Sequence, residues 1–298
     1  MKTETVTSRS DVIARRSFFI SRIPLPLLPF FLFVGFFLLW PIAVLVVRSF
    51  KGKKNEWTLA NFDAALHGPY FHSFVSSIKL ASTTALSGSI IGAFFAYVIY
   101  KYAGNRLTVI LDSISAVFAN SGGVPLAFMF IAAFGMQGLV TKTLKNLGID
   151  IYAGHFSLFS FTGLVLVYTF FQVPIMILVF KPALHGLKKE WSDANSSLGG
   201  NSLTYWMRIG IPILTPAFLG AFLLLFASGF SAYATARAMT AGNVPLVPLV
   251  IGTLIDGNVI SNEANLGSAL AVGMIFIAVI TMSGYLLAQK YASRWRTK

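Results

Sequence analysis

Six long apolar runs dominate the chain, at 25–47, 74–100, 108–136, 161–184, 212–237 and 266–288. A helix needs about 20 mainly apolar residues to cross a bilayer. The pattern predicts an all-α, polytopic membrane protein with about six transmembrane helices. Gly and Pro interrupt the third and fifth runs, which predicts a bend or a partial exit from the hydrocarbon in each. The third run carries Asn120-Ser121-Gly122-Gly123-Val124-Pro125 in its middle. Irregular backbone at membrane depth is tolerated where protein buries it or where it lines a wet cavity. Asn120, Ser121, Gly122 and Gly123 are therefore either part of a translocation path or a kink that serves packing. Gln172, in the fourth run, joins them as a candidate path residue. Gly88 and Gly92 form a GxxxG pair, which fits packing within one subunit as well as a dimer seam. Ala217/Ala221 and Gly267/Ala271 are similar small-residue pairs.

Composition agrees with this picture. Of 298 residues, 56% are hydrophobic and 11% charged, against about 25% charged in a soluble domain. Most of the surface must then meet lipid. The net charge is +13. The basic residues sit in short segments between apolar runs, as in cationic membrane loops, and not among aromatics on a compact nucleic-acid-binding domain. With the N-terminus inside, fifteen Lys and Arg fall on the inner side and seven on the outer. This predicts that both termini are cytoplasmic. Residues 1–24 then form a basic tail and 25–298 the membrane domain. Arg15-Arg16-Ser17-Phe18-Phe19 resembles a twin-arginine export signal, but no A-x-A cleavage site follows. The first span is expected to remain in the mature protein. On the outer side, residues 57–66 read as a short amphipathic segment that Thr58 or Asn61 could cap.

Reactive groups are scarce. Of the ten acids, only Asp112 falls near a span, and Asp256 and Glu263 lie near the outer mouth before span six. The chain has no Cys, and its four His show no metal-ligand spacing, so no metal or cofactor is expected. Neither a G-x-S-x-G elbow nor a G-x-x-x-x-G-K-[ST] phosphate loop is present. The chain is expected to be no enzyme, with no catalytic residues and no ATP hydrolysis of its own. An ATP-independent secondary transporter or channel is the alternative class. Ion-coupled carriers keep ionisable groups within the membrane, and this chain has almost none at mid-depth.

The most informative polar stretch is 186–212, GLKKEWSDANSSLGGNSLTYWMRIGIP. It predicts a helix over 191–198, a break at Gly199-Gly200, and a second helix over 202–209 ended by Gly210 and Pro212. Such a unit projects from the membrane as a knob. The stretch resembles the EAA loop of binding-protein-dependent ABC permeases, whose pattern is E-A-A, three residues, G, nine residues, I-x-L-P. Asp193, Ala194 and Asn195 stand in the E-A-A place, Gly199 follows after three residues, and Ile209, Ile211 and Pro212 complete the pattern. Asn195 departs from the second Ala. The six-span layout and the position of the loop between spans four and five match as well. Trp57-Thr58-Leu59-Ala60-Asn61-Phe62 is similar to the stretch after the first span in this superfamily. Gly122-Gly123-Val124-Pro125-Leu126 resembles span three of the spermidine/putrescine-like branch.

The resemblance implies the type I, MetI-like permease fold in a bacterial inner membrane. It implies a pair of ABC ATPase subunits, a second permease that is a copy or a paralogue, and a periplasmic binding protein that delivers a small solute. In that family the knob docks on the ATPase and converts its closure into rocking of the spans. Asp193, Ala194 and Asn195 would meet the ATPase or brace the knob. Gly199 would permit the turn, and Ile209, Ile211 and Pro212 would anchor the knob to span five. A polyamine is the first expectation for the solute, with iron, thiamine, phosphonate and sulfate as alternatives. Lipid is the remaining partner, and nucleic acid is not expected.

Overall fold

The computed structural model describes residues 27–102, 104, 106–154, 156–240, 243–255 and 263–293. The basic tail expected at 1–24, its twin arginines, and Asp256 lie outside the described residues. The chain separates into two compact units, Met1–Arg48 and Ser49–Lys298.

The first unit holds α1 (Leu28–Val34), a π-helical turn (Gly35–Leu39) and nearly all of α2 (Trp40–Ser49), which together make one apolar helix of membrane-spanning length. Pro41 follows the π-turn closely. A proline ring pushes against the carbonyl four residues back and offers it no donor. One extra residue in the preceding turn moves that carbonyl aside, so the helix continues past the proline.

The second unit is helical throughout. Its elements are α3 (Ala60–Leu66), α4 (Gly68–Lys101), α5 (Arg106–Ala119), α6 (Val124–Phe134), α7 (Leu139–Asn146), α8 (Phe161–Leu184), α9 (Lys189–Ser197), α10 (Ser202–Tyr205), α11 (Ile211–Ser231), α12 (Ala234–Thr240), α13 (Val247–Ile255) and α14 (Ala264–Ser293). Among the described residues the one extended pairing is an isolated bridge between Lys51 and Trp57. Among the described residues, six helical stretches are long and apolar enough to span a membrane, as the sequence predicts. The predicted third span differs from expectation. It is not one helix: α5 and α6 split it at residues 120–123.

Helix α4 organises the unit by packing on α8 and α11. Its buried face is a stripe of small residues: Ser77, Ala81, Ala85, Gly88, Gly92 and Ala96. Lipid tails are as apolar as any side chain, so close van der Waals fit is what draws spans together, and small residues permit it. A Cβ on Gly88 would stand 2.8 Å from the Cβ of Gln172, and one on Gly92 would stand 2.8 Å from the Val173 carbonyl oxygen. The GxxxG pair therefore serves packing inside this chain. Around this seam lie two apolar clusters. One joins Tyr168, Phe171 and Leu126 to Met239 and Leu246. The other joins Met176, Phe180 and Leu184 to Leu214, Ala221 and Leu225.

Helix α13 is absent from the six predicted runs. Its nine residues are apolar but too few to cross a bilayer. It packs on α14, where a Cβ on Gly267 would come 3.2 Å from the Leu254 Cβ. Ser77 of α4 accepts the Val247 N–H at 2.9 Å, which satisfies a free amide at the start of α13. At the start of α3, Thr58 Oγ1 accepts the Ala60 N–H as expected. Asn61 is no cap. Its amide donates to the carbonyls of Ser49 (3.0 Å) and Lys51 (2.8 Å) and latches the connector. In the connector before α8, the Tyr152 N–H and then Lys145 hold the Asp150 carboxyl below the usual carboxylate range.

Candidate functional site

The 186–212 stretch folds as a helix, a tight turn and a second helix. Helix α9 ends in a Schellman motif. The Gly199 N–H donates to the Ser196 carbonyl (3.0 Å) and the Gly200 N–H to the Asn195 carbonyl (2.8 Å). Gly199 sits at φ 77°, in the left-handed region that a side chain disfavours. Asn201 starts the second helix as its N-cap, accepting the Thr204 N–H at 2.8 Å. The Asn195 side chain bridges the turn by donating to the Asn201 carbonyl at 3.2 Å. A Cβ on Gly200 would lie 2.7 Å from the Asn195 Cγ, so this Asn needs a glycine opposite. The departure from the E-A-A pattern thus has a structural role.

The remaining residues singled out in the loop separate into two groups. Ala194, Asn195 and Ile209 line one groove between the two helices, with Trp191, Leu198 and Arg208. Asp193 lies outside that groove, and no ion pair or hydrogen bond engages its exposed carboxylate among the described residues. The second helix does not end at Gly210. It runs through a π-turn (Trp206–Gly210) into α11, with Pro212 just beyond, the same arrangement as at Pro41. Knob and span five are therefore one continuous rod. Ile211 and Pro212 are exposed at the start of α11, where the rod enters span five. Trp206 packs at the root of the knob. Its ring meets Tyr97 edge-on at 5.2 Å and covers the buried Gly210, where a Cβ would come 2.6 Å from the ring. Trp191 and buried Leu187 pack into the same cluster. Two Trp residues in a polar loop were the available signal for this root.

The break in span three has a partner. Gly123 has φ 90° and ψ −152°, a conformation open essentially to Gly alone. Its N–H donates to Thr235 Oγ1 at 3.0 Å, and Thr235 Oγ1 donates to its carbonyl at 3.1 Å. Thr235 begins α12, just past a second break at Ala232–Tyr233 that cuts the predicted fifth run short of Arg237. The Tyr168 hydroxyl, on a fully buried ring, donates to the Ala232 carbonyl at 2.8 Å. Two interrupted helices therefore meet at one place, and side chains satisfy the backbone that each interruption frees. The Asn120 and Ser121 side chains donate back to the carbonyls of Ala116 (2.9 Å) and Val117 (2.8 Å). A Cβ on Gly122 would meet nothing, so that residue borders open space.

Thr235→Val keeps the shape of the side chain and removes both bonds to Gly123. Each buried backbone group left unpaired costs about 1–3 kcal/mol. We expect a lower thermal unfolding midpoint for the chain in detergent or nanodiscs, with Thr235→Ser close to wild type. A wild-type midpoint for the Val variant would show that the stitch is dispensable.

Gln172 is not on an open path. It is fully buried between α4, α8 and α11, donating to Thr84 Oγ1 (3.1 Å) and the Leu225 carbonyl (3.4 Å), while its Oε1 has no hydrogen-bond partner among the described residues. Its surroundings here are those of a bridge between helices. An ion pair also escapes sequence reading: Lys181 of α8 bonds Asp112 of α5, both partly buried. No group of His, Asp or Glu with metal-site geometry occurs among the described residues.

No family model matches the chain. Its sequence is 30% identical over 187 residues to the probable sulfate transport system permease protein cysT of Helicosporidium sp. subsp. Simulium jonesii, covering 62% of this chain and 65% of the relative, just under two thirds of its length. It is 28% identical to the protein of the same description from Prototheca wickerhamii, covering 73% and 82%. It is 24% identical to the molybdenum transport system permease protein ModB of Escherichia coli strain K12, covering 64% and 82%. Among solved structures, a bacterial ABC transporter involved in the import of the acidic polysaccharide alginate superposes with a TM-score of 0.68 at 16% identity, over 96% of this chain and 99% of that one. The MetNI methionine ABC transporter superposes with a TM-score of 0.51 at 11% identity, over 75% and 94%. The chain therefore has the MetI-like fold of ABC importer permease subunits and is similar in sequence to sulfate and molybdenum transport system permeases.

Proposed function

We propose that this chain is the membrane-spanning permease subunit of an ATP-driven importer whose solute is a small oxyanion such as sulfate or molybdate. The observation that carries this reading is its similarity, over most of its length, to permeases of sulfate and molybdenum systems. The polyamine expected from span three finds no support among these relatives, and the sulfate alternative fits them. The chemistry at the break is compatible. Helix α6 starts there, and a helix N-terminus carries partial positive charge. Among the described residues no hydrogen bond or ion pair brings a carboxylate to residues 120–125. Asn120, Ser121, Gly122 and Gly123 are the proposed wall of the path, and Gln172 is assigned to packing.

In this reading the knob meets a separate ATPase pair through Asp193, Ala194, Asn195 and the turn at Gly199. Ile209, Ile211 and Pro212 belong to the rod that carries its motion into span five. A second permease, identical or paralogous, completes the path, and a periplasmic binding protein delivers the solute to the face opposite the knob. In this reading both termini are cytoplasmic. Residues 25–298 form the permease domain and 1–24 its basic tail. Uptake of radiolabelled sulfate, molybdate and putrescine by a deletion strain tests the solute. We expect sulfate or molybdate uptake to fall and to return when the chain is supplied in trans. Loss of putrescine uptake with both oxyanions unaffected would overturn the assignment.

A further inference from the structure

At the root of the knob the structure forms a second cavity, of about 470 Å³, away from the turn at Gly199. Its walls come from the ends of two spans and from the start of the knob. Helix α4 contributes Tyr97, Tyr100 and Lys101; the end of α8 and the following loop contribute His185 and Lys188; α9 contributes Lys189. Tyr205 and Trp206 close the floor. Three lysines and a histidine thus converge with no carboxylate in the lining. None of them takes part in an ion pair among the described residues. The aromatic rings hold one another edge-on: Tyr97 against Trp206 at 5.2 Å, Tyr100 against His185 at 5.2 Å, and Tyr205 against Trp206 at 5.7 Å. The floor is therefore preformed, while the exposed cations above it lack counter-charge.

We propose that this cavity binds a phosphate-type oxyanion, supplied by the headgroup of an anionic phospholipid. Two spans end at its rim, which places it at headgroup depth. Tyr and Trp favour that depth because one end of each ring is apolar and the other polar. Basic pockets between spans are suited to anionic headgroups. The acyl chains would lie along the exposed apolar face of α4, where Phe94 and Phe95 point outward. Bound there, the headgroup would join α4, α8 and the knob at the point where the knob enters the membrane, and so stiffen its root. This holds whatever solute the chain carries.

The test uses the full chain in nanodiscs of phosphatidylglycerol mixed with phosphatidylcholine, with native mass spectrometry reading the lipid that stays bound. Wild type should retain phosphatidylglycerol. Lys188→Ala/Lys189→Ala should bind it about thirtyfold more weakly, each lysine near an anionic lipid surface supplying about a fivefold factor. Lys188→Arg/Lys189→Arg should restore binding, which separates lost charge from lost folding. Lys53→Ala/Lys54→Ala, at the far end of the unit, should retain the lipid as wild type does. Equal retention by wild type and the Ala pair, or phosphatidylcholine held as tightly as phosphatidylglycerol, overturns the proposal. Added inorganic phosphate and sulfate distinguish the two sources. Retention should not change; displacement by either ion would make a soluble oxyanion the occupant and overturn the lipid assignment.

Discussion

Gly92→Val should leave almost no folded chain. The new Cβ would stand 2.5 Å from the Met176 Cβ and 2.8 Å from the Val173 carbonyl oxygen. Neither neighbour is the loose end of a side chain; one is backbone and the other is fixed to it. Relief requires α4 and α8 to part, and these two helices form the main seam of the unit. Overpacking a well-filled core costs about 1–3 kcal/mol, and a collision with backbone belongs at the top of that range. In lipid no hydrophobic force draws the spans together again once the close fit is lost. Size-exclusion profiles and thermal midpoints in detergent give the readout. Gly122→Ala is the control, because its Cβ would face open space. A monodisperse Gly92→Val chain with a wild-type midpoint would mean that the seam is far more pliable than its geometry allows.

This seam was half legible in the sequence. Gly88 and Gly92 announce close approach to some helix, but four-residue spacing does not say which. The answer depends on Gln172 and Met176, more than eighty positions away. Most span positions were legible because hydropathy is local and long runs have few alternatives; the third, at 124–146 and not 108–136, was not. Loop 186–212 was legible for the same reason, since helix and glycine turn act within a few residues. The π-turn at 206–210 was not. Sequence alone reads Gly210-Ile211-Pro212 as a stop, whereas one wider turn lets the helix run on. The break at Gly123 could be seen, but not Thr235 of α12 that stitches it, because a threonine near the end of an apolar run carries no mark of its partner. The surroundings of Gln172 were hidden for a related reason. A lone amide in a membrane helix lines water or bridges helices, and only the positions of Thr84 and Leu225 decide between them.

If the knob couples transport to a separate ATPase, as proposed, Gly199→Pro should abolish ATP-driven uptake while leaving the spans inserted. Gly199 holds φ 77°, whereas a proline ring fixes φ near −65°. The substitution also removes the N–H that bonds the Ser196 carbonyl, and the altered path displaces the Gly200 N–H from Asn195. With both bonds gone the Schellman turn opens, and α9 no longer folds back on the rod that leads into α11. Leu198, 88% exposed at the tip, loses its fixed position with it. Ala at the same site keeps the N–H but must enter the left-handed region at about 1–2 kcal/mol. It should reduce uptake in part. Asn tolerates that region better than other side chains and should fall between Gly and Ala. A Cβ at 199 would touch nothing, so the ranking tests backbone conformation and not bulk. The readouts are uptake by reconstituted transporter and recovery of the ATPase with the tagged permease. Uptake should follow the order Gly, Asn, Ala, Pro, with ATPase recovery falling in parallel. Full uptake by the Pro variant at normal abundance would exclude this turn as the coupling element. Lost uptake with normal ATPase recovery would place the defect in transmission along the rod and not in docking.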